Sequence, residues 1–311
     1  MIDFVLLGSG WRSLFYARLS VRFPHEFRLT GWMVHDPAKR IAYAQEYHTF
    51  TSHALDEVLE RPHDLVVLCV PDTLQHDLLV TLAERGEPVL TETSFLRQNE
   101  ASLKDILVRC QGKTVEVAEQ YPLLPYYQQV SDLQPRLGKI WECTVASCHF
   151  HHAAALTRHF LEEEEAACTI SAQTAIRRIA QTGSRYGYHA DGTTKEITRT
   201  VAVLRFPDGK TGWYAFTGEE YHSTILSGHF ALRGERGEIF DRTARYLDDA
   251  NQTIIRSLEE NKDDEEGIAE CLRRFGHGYS LRNGIIDALV GQAIQEAAKT
   301  GKPISFLPPN R

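Results

Sequence analysis

The chain opens on Ile2-Asp3-Phe4-Val5-Leu6-Leu7, a short, mostly apolar run that fits a strand buried on both faces of a parallel sheet. Gly8-Ser9-Gly10 ends it, and between 11 and 23 the positions Leu14, Phe15, Ala17, Leu19 and Val21 suit a helix with one buried side. The alternation continues. A strand is predicted at 27–34 and a helix at 37–47, where Asp36 can cap and Pro37 can take the first turn. Strands at 64–70, 88–92 and 114–118 then alternate with helices at 73–85 and 97–110. Strands separated by helices at this spacing predict a doubly wound parallel sheet with right-handed crossovers. All its strands then end at one edge, where ligands bind. Gly8, Val70-Pro71, Glu92 and the residues after Ala118 fall at that edge.

After about residue 120 the rhythm changes. A helix at 123–134 leads to a long strand at 139–150, with the next helix beginning near Ala153. Strand-like segments follow at 167–182, 195–206, 211–217, 224–233 and 243–247, and a last helix at 281–299. Strands that follow one another without helices between them form an antiparallel sheet, which needs one covered face. The predicted class is therefore α/β. A Rossmann domain at 1–120 precedes an α/β domain at 121–311, whose large, open, mainly antiparallel sheet would carry the substrate pocket and a subunit contact.

Composition narrows the partners. A length of 311 residues favours two domains over one large core. A net charge of −8 argues against nucleic acid or an anionic membrane as the main partner, because both select a basic face. The acidic runs at 162–165 and 263–266 read as solvated loops or helix ends. Six cysteines show no C-x-x-C pair, which suits thiols in a reducing compartment. With no basic-then-apolar opening and no apolar run near the ~20 residues of a membrane span, a cytoplasmic location is expected.

Gly8-Ser9-Gly10-Trp11-Arg12-Ser13 carries the first two glycines of a dinucleotide fingerprint in the required strand-turn-helix context, with Ser13 in place of the third. Gly8, Ser9, Gly10, Trp11 and Arg12 are the candidates for a pyrophosphate. A glycine turn that merely joins strand to helix is the plain alternative, against which the alternation of strands weighs. An acidic residue at the end of the second strand would accept hydrogen bonds from the adenosine ribose. Here the tip is Val34-His35, with Asp36 one or two positions late, and Lys39 and Arg40 are placed to meet a 2′-phosphate. His35 and Arg40 are assigned to the adenosine end. The cofactor is expected to be NAD or NADP, with a slight lean to NADP.

The stretch "VLCVPDTLQHDLLVTLAERGEPVLTETSF" (67–95) resembles the Gfo/Idh/MocA family, the relatives of glucose-fructose oxidoreductase and inositol dehydrogenase. In that family a strand ends at a T/V-P pair, a histidine lies five residues past the proline, and a later strand ends in Glu-Lys-Pro. Pro71, His76 and Glu92 match. "AEQYPLLPYY" (118–127) resembles the next strand end, with Gln120 near the nicotinamide; "ALRGERGEI" (231–239) and the closing segment 279–306 are also family-like. The resemblance implies hydride transfer on NAD(P), with Val70, Pro71, His76, Glu92 and Gln120 lining the nicotinamide half. It also implies a missing cation, because Thr93-Ser94 stands where the family has Lys-Pro. A hydroxyl can hydrogen-bond a substrate but cannot replace an ammonium's charge.

Proton transfer must then come from elsewhere. "CHFHHAAALTRHF" (148–160) holds His149, His151, His152 and His159. On a strand, His149 and His151 point to one face, and His152 sits at the strand's exit and the start of a helix. Oxidising an alcohol needs a base for its hydroxyl proton, and imidazole suits that near neutral pH. The spacing of His152, Leu156, Arg158 and Leu161 resembles a subgroup of the same family with a histidine at this junction, which makes His152 the first candidate and His151 the second, with Thr93 beside the reacting alcohol. No metal is expected. His149 and His151 with His189 or His222 offer imidazoles, but no C-x-x-C or H-E-x-x-H accompanies them. Tyr186, Tyr188, His189, Arg177 and Arg178 read as surface groups within reach of the substrate pocket.

The function these features support is an NAD(P)-dependent oxidoreductase acting on a sugar, polyol or similar hydroxylated small molecule, assembled as a homodimer or homotetramer through the C-terminal sheet. The alternative is a non-catalytic nucleotide or sugar-derivative sensor that keeps the fold without the lysine. A structural subunit whose cleft is filled by side chains is a third.

Overall fold

The computed structural model describes residues 1–93, 95, 98–184, 187–188, 192–259 and 263–309. Ser94, Tyr186 and His189, singled out above, lie outside the described residues. By internal packing the chain divides into two units, Met1–Leu124 with Lys262–Ile285, and Pro125–Asn261 with Ile286–Arg311.

In the first unit, strands β1 (Ile2–Leu7), β2 (Phe27–Met33), β3 (Phe50–Ser52), β4 (Leu65–Leu68), β5 (Val89–Thr91) and β6 (Val115–Val117) alternate with helices α1 (Ser13–Arg22), α2 (Pro37–Glu46), α3 (Leu55–Leu59), α4 (Asp72–Arg85) and α5 (Glu100–Arg109). The strands form one parallel sheet in the order β3-β2-β1-β4-β5-β6. Phe4 to Leu7 and Leu65 to Leu68 are buried almost completely, as strands covered on both faces must be. Asp36 caps α2, accepting from the backbone N–H groups of Ala38 and Lys39, with Pro37 at the first helical position as the sequence predicts. β3 and α3 escape sequence reading because three and five residues are too few to show a period.

In the second unit, helix α6 (Pro125–Leu133) precedes β7 (Ile140–Ala146), α7 (Phe150–Leu161) and β8 (Cys168–Ala180). A short pair, β9 (Gly183–Ser184) and β10 (Gly187–Tyr188), is followed by β11 (Thr194–Arg205), β12 (Thr211–Phe216), β13 (His229–Gly234), β14 (Gly237–Phe240), β15 (Thr243–Leu247) and β16 (Thr253–Ser257). Along the chain α8 (Asp264–Arg273), which belongs to the first unit, comes next, and then α9 (Leu281–Thr300) and β17 (Ile304–Phe306). Nine strands make one sheet in the order β16-β15-β14-β13-β7-β12-β11-β8-β17, antiparallel except for the parallel pairing of β7 with β12. Along β12 the residues Gly212, Tyr214 and Phe216 are buried while Trp213 is exposed, the alternation of a sheet with one covered face. Helix α7 covers that face: a Cβ on Gly212 would meet Thr157 Cγ2 at 2.5 Å.

Two local expectations differ from the structure. The strand predicted to run to residue 150 stops at Ala146, where its last ladder partner, His229 of β13, runs out. His149 is therefore the N-cap of α7 and His151 lies in its first turn, neither of them on a strand, while His152 is at the start of a helix as expected. Residues 263–285, placed by the sequence in the second half, pack with the first unit. Ile268, Ala269, Cys271 and Leu272 of α8 join the core formed by Phe4, Leu6, Tyr16 and Leu19. The acidic run before and within the first turn of α8 explains the attachment. Asp263 caps the helix and pairs with Arg22 of α1, and Glu265 pairs with Arg18 at 2.5 Å. Among the described residues no helix is long and apolar enough to cross a membrane.

Candidate active site

Because all strands of the first sheet are parallel, residues 8–10, 34–36, 69–71, 92–93 and 118–120 share its carboxyl edge. The strand order reverses between β1 and β4, the place where such sheets open a crevice. At that point Gly8 adopts φ +110°, and a Cβ there would stand 2.0 Å from the carbonyl oxygen of Cys69 at the end of β4. Only glycine tolerates that approach. Trp32 Nε1 donates to the Gly8 carbonyl at 2.6 Å, which fixes the turn from the β2 side. Gly10 has open space where its Cβ would be. Ser13, in the third-glycine position, is fully buried, with its Oγ 3.5 Å from Cys69 O, so helix and strand still pack closely. Trp11 is about half exposed and meets the Phe15 ring edge-on at 5.1 Å.

Glu92 does have a cation beside it, and it comes from α1. Arg12 Nε donates to Glu92 Oε1 at 3.0 Å, and Arg12 Nη2 donates to Gln120 Oε1. Tyr16, one helical turn after Arg12, donates its hydroxyl to the same Glu92 oxygen at 2.5 Å. Gln120 Nε2 in turn donates to Asp264 Oδ1 at 3.1 Å, so α8 anchors the far side of the cluster. From α4 the buried Gln75 donates to the Thr91 hydroxyl and to the Glu92 carbonyl, holding the tip of β5. Thr93 follows, half-buried.

Burial works against the Arg12 charge, but the fields of Glu92 and Tyr16 outweigh it and hold the guanidinium above its ordinary value. Burial, reinforced by Glu92, raises the Tyr16 hydroxyl well above the usual phenol range, so it stays a donor. Glu119, at the end of β6 and buried, is pushed up to about 8 by burial, against the hydrogen bond it accepts from Tyr121 N at 3.1 Å. It is thus mostly protonated at neutral pH. Burial also raises the Asp264 carboxyl, against the pull of Arg12.

Of the predicted set the structure brings Gly8, Ser9, Gly10, Arg12, His35, Val70, Pro71, Glu92, Thr93 and Gln120 to this edge. Arg12 faces Glu92 and Gln120. His35 is exposed and Arg40 half-buried after β2, and Lys39 Nζ reaches the Ser9 carbonyl at 3.5 Å. Val70 is half-buried and Pro71 exposed ahead of α4. His76 is paired with Asp77 of its own helix at 2.8 Å and Asp105 of α5 at 3.0 Å, outside the Arg12 cluster. In the second unit His151 is buried, its ring 4.0 Å from that of His152, and its Nδ1 has no hydrogen-bond partner among the described residues. Burial, then His152 and His149, lowers its pKa well below the ordinary imidazole value, so the ring is neutral. His149 donates its backbone N–H to the Tyr221 hydroxyl at 3.1 Å.

Sequence reading missed Tyr16, Gln75, Glu119 and Asp264. Tyr16 had a signal, since four residues after Arg12 it lies on the same helix face. Asp264 had none, being 144 residues from Gln120.

No family model matches the sequence, and no curated protein matches it. Solved structures do match its fold over nearly the whole length. An oxidoreductase from Agrobacterium radiobacter, in complex with NAD+, L-tartaric acid and magnesium, superposes with a TM-score of 0.75 at 12% identity, covering 98% of both chains. A myo-inositol dehydrogenase from Corynebacterium glutamicum gives 0.72 at 16% identity, covering 99% of this chain and all of its own. Biliverdin reductase from Synechocystis sp., in complex with biliverdin and NADP+, gives 0.68 at 14%, covering 96% and 99%. The chain has the fold of the Gfo/Idh/MocA-type oxidoreductases, as its sequence resemblance implied.

Proposed function

We propose that the chain is a nicotinamide-dependent oxidoreductase acting on a hydroxylated small molecule such as a sugar, a polyol or a derivative. The observation that carries this reading is the glycine turn at the sheet's reversal point, where Gly8 is pinned against Cys69 and Gly10 leaves room for a pyrophosphate. Solved proteins of this fold that hold NAD+ or NADP+ support it. Bound nicotinamide supplies the hydride acceptor or donor at C4. The chain's own part is to orient the alcohol, through Thr93, and to take its hydroxyl proton on an imidazole, His152 first and His151 second. His151 is neutral, with its Nδ1 unbonded among the described residues, but burial makes it the weaker base, which supports its second place.

The adenosine end favours NADP. Val34, at the tip of β2, is fully buried and offers no acceptor, and Asp36 Oδ1 is committed to two backbone N–H groups of α2. Neither Lys39 nor Arg40 forms an ion pair among the described residues, whereas Arg18, Arg22, Arg28 and Arg85 all do. Cations without a carboxylate partner, beside a strand tip whose nearest acid already caps α2, suit a 2′-phosphate. On the uncovered face of the second sheet Val201, Trp213 and Phe240 are each at least 40% exposed, which supports a subunit contact there, checked by light scattering.

The test is titration with NADPH and NADH followed by fluorescence, then turnover with a panel of polyols and sugars. Binding without any hydride transfer would favour the second reading, a nucleotide sensor, which the uncharged Thr93 after Glu92 supports. Thr93→Lys discriminates further: it would awaken a degenerate enzyme and impair a specialised one. Failure of both nucleotides to bind would end the proposal.

A further inference from the structure

If the crevice takes a nicotinamide dinucleotide, as proposed above, its nicotinamide half lies toward the ends of β4, β5 and β6. The ring carries a charge of about +1 when oxidised and about zero when reduced, because hydride brings two electrons with its proton. A carboxylate at that end therefore favours the oxidised form, and a guanidinium favours the reduced one. Glu92 stands at the end of β5, and the next residue, Thr93, brings no charge to balance it. The balancing charge is Arg12, with Nε 3.0 Å from Glu92 Oε1. Its guanidinium is held from the other side by Gln120, which Asp264 fixes in turn at 3.1 Å. Tyr16 stays neutral while bonded to the same carboxylate oxygen. Glu119 is buried and mostly protonated at neutral pH. A cation held by partners just after β5 and β6, the second of them anchored on α8, is a fixture, placed to act on whatever lies over Glu92.

We propose that Arg12 is a positioning residue that sets the redox preference of the nicotinamide end, neutralising Glu92 so that the crevice does not favour the oxidised nucleotide. This differs from a pyrophosphate contact, which would serve oxidised and reduced nucleotides alike. The distinction is measurable without knowing the substrate.

The experiment is calorimetric titration of the full chain with NADP+, NADPH and ADP-ribose, which has the pyrophosphate but no nicotinamide. Arg12→Met is expected to move the NADP+ to NADPH affinity ratio toward the oxidised form by at least about fivefold, leaving ADP-ribose within about twofold. Arg12→Lys should keep the original ratio, and Glu92→Gln should move it toward NADPH. These two variants carry the test should Arg12→Met fail to fold. An unmoved ratio, or an equal loss for all three ligands, would overturn the assignment and leave Arg12 a pyrophosphate or purely structural group. If the unaltered protein binds none of the three, the dinucleotide reading itself fails, and the role of Arg12 goes with it.

Discussion

Arg12 and Glu92 are 80 positions apart in the chain and 3.0 Å apart in space. The pair ties the first turn of α1 to the end of β5, and both side chains are mostly buried. Arg12→Met leaves the carboxylate with Tyr16 alone and is expected to cost about 1–3 kcal/mol. With Glu92→Gln added, the loss should fall short of the sum of the two single changes. Urea unfolding of the four proteins measures the coupling, and strict additivity would show that the pair does not interact.

The two glycines of the turn should separate fold from binding. Gly8→Ala combines φ +110° with a Cβ 2.0 Å from the Cys69 carbonyl and should destabilise the protein by at least about 2 kcal/mol. Gly10→Ala meets nothing within 4 Å and should keep stability within about 1 kcal/mol while weakening nucleotide binding. Thermal melts with and without NADPH test both, and equal melting temperatures for the two unliganded variants would contradict the geometry.

Glu119 gives stability a pH dependence. Its carboxyl titrates from 4.5 in the unfolded chain and near 8 in the fold. Between those values the folded protein keeps a proton that the unfolded chain has lost, so stability falls as pH rises, by on the order of 1 kcal/mol per pH unit for this group. Below and above that window the contribution is flat. Glu119→Gln, which mimics the protonated carboxyl, should flatten the urea midpoint between pH 5 and 8; an unchanged slope would remove Glu119 as its source.

In the second unit Arg158 of α7 pairs with Asp287 of α9, and both side chains are 2% exposed. Arg158→Met alone should cost about 3–5 kcal/mol, because it removes the cation that faces a buried carboxylate. Arg158→Met with Asp287→Leu should recover much of that. Denaturant midpoints decide it, and a double variant as unstable as the single would rule out buried charge as the cause.

The strands of the first sheet were legible because their burial on both faces writes a continuous apolar run, as in Leu65 to Leu68. Capping was legible in Asp36-Pro37 for the same local reason. The histidines were misplaced because "TVASCHFHH" has no signal for where a strand loses its partner; that is set by β13, more than 80 residues on. The acidic run at 263–266, read as a solvated loop or a helix end, caps and opens α8, yet nothing local says that this end sits on α1.

By itself the sequence determined the longer strands and helices of the first sheet, where the glycine turn lies, and that Glu92 ends a buried strand. Periodicity and turn chemistry are local properties, and they are written residue by residue. Which cation meets Glu92, and which acid steadies Gln120, was decided only by tertiary packing, since strand order and helix docking bring together Arg12, Tyr16, Glu92, Gln120 and Asp264 from four distant parts of the chain.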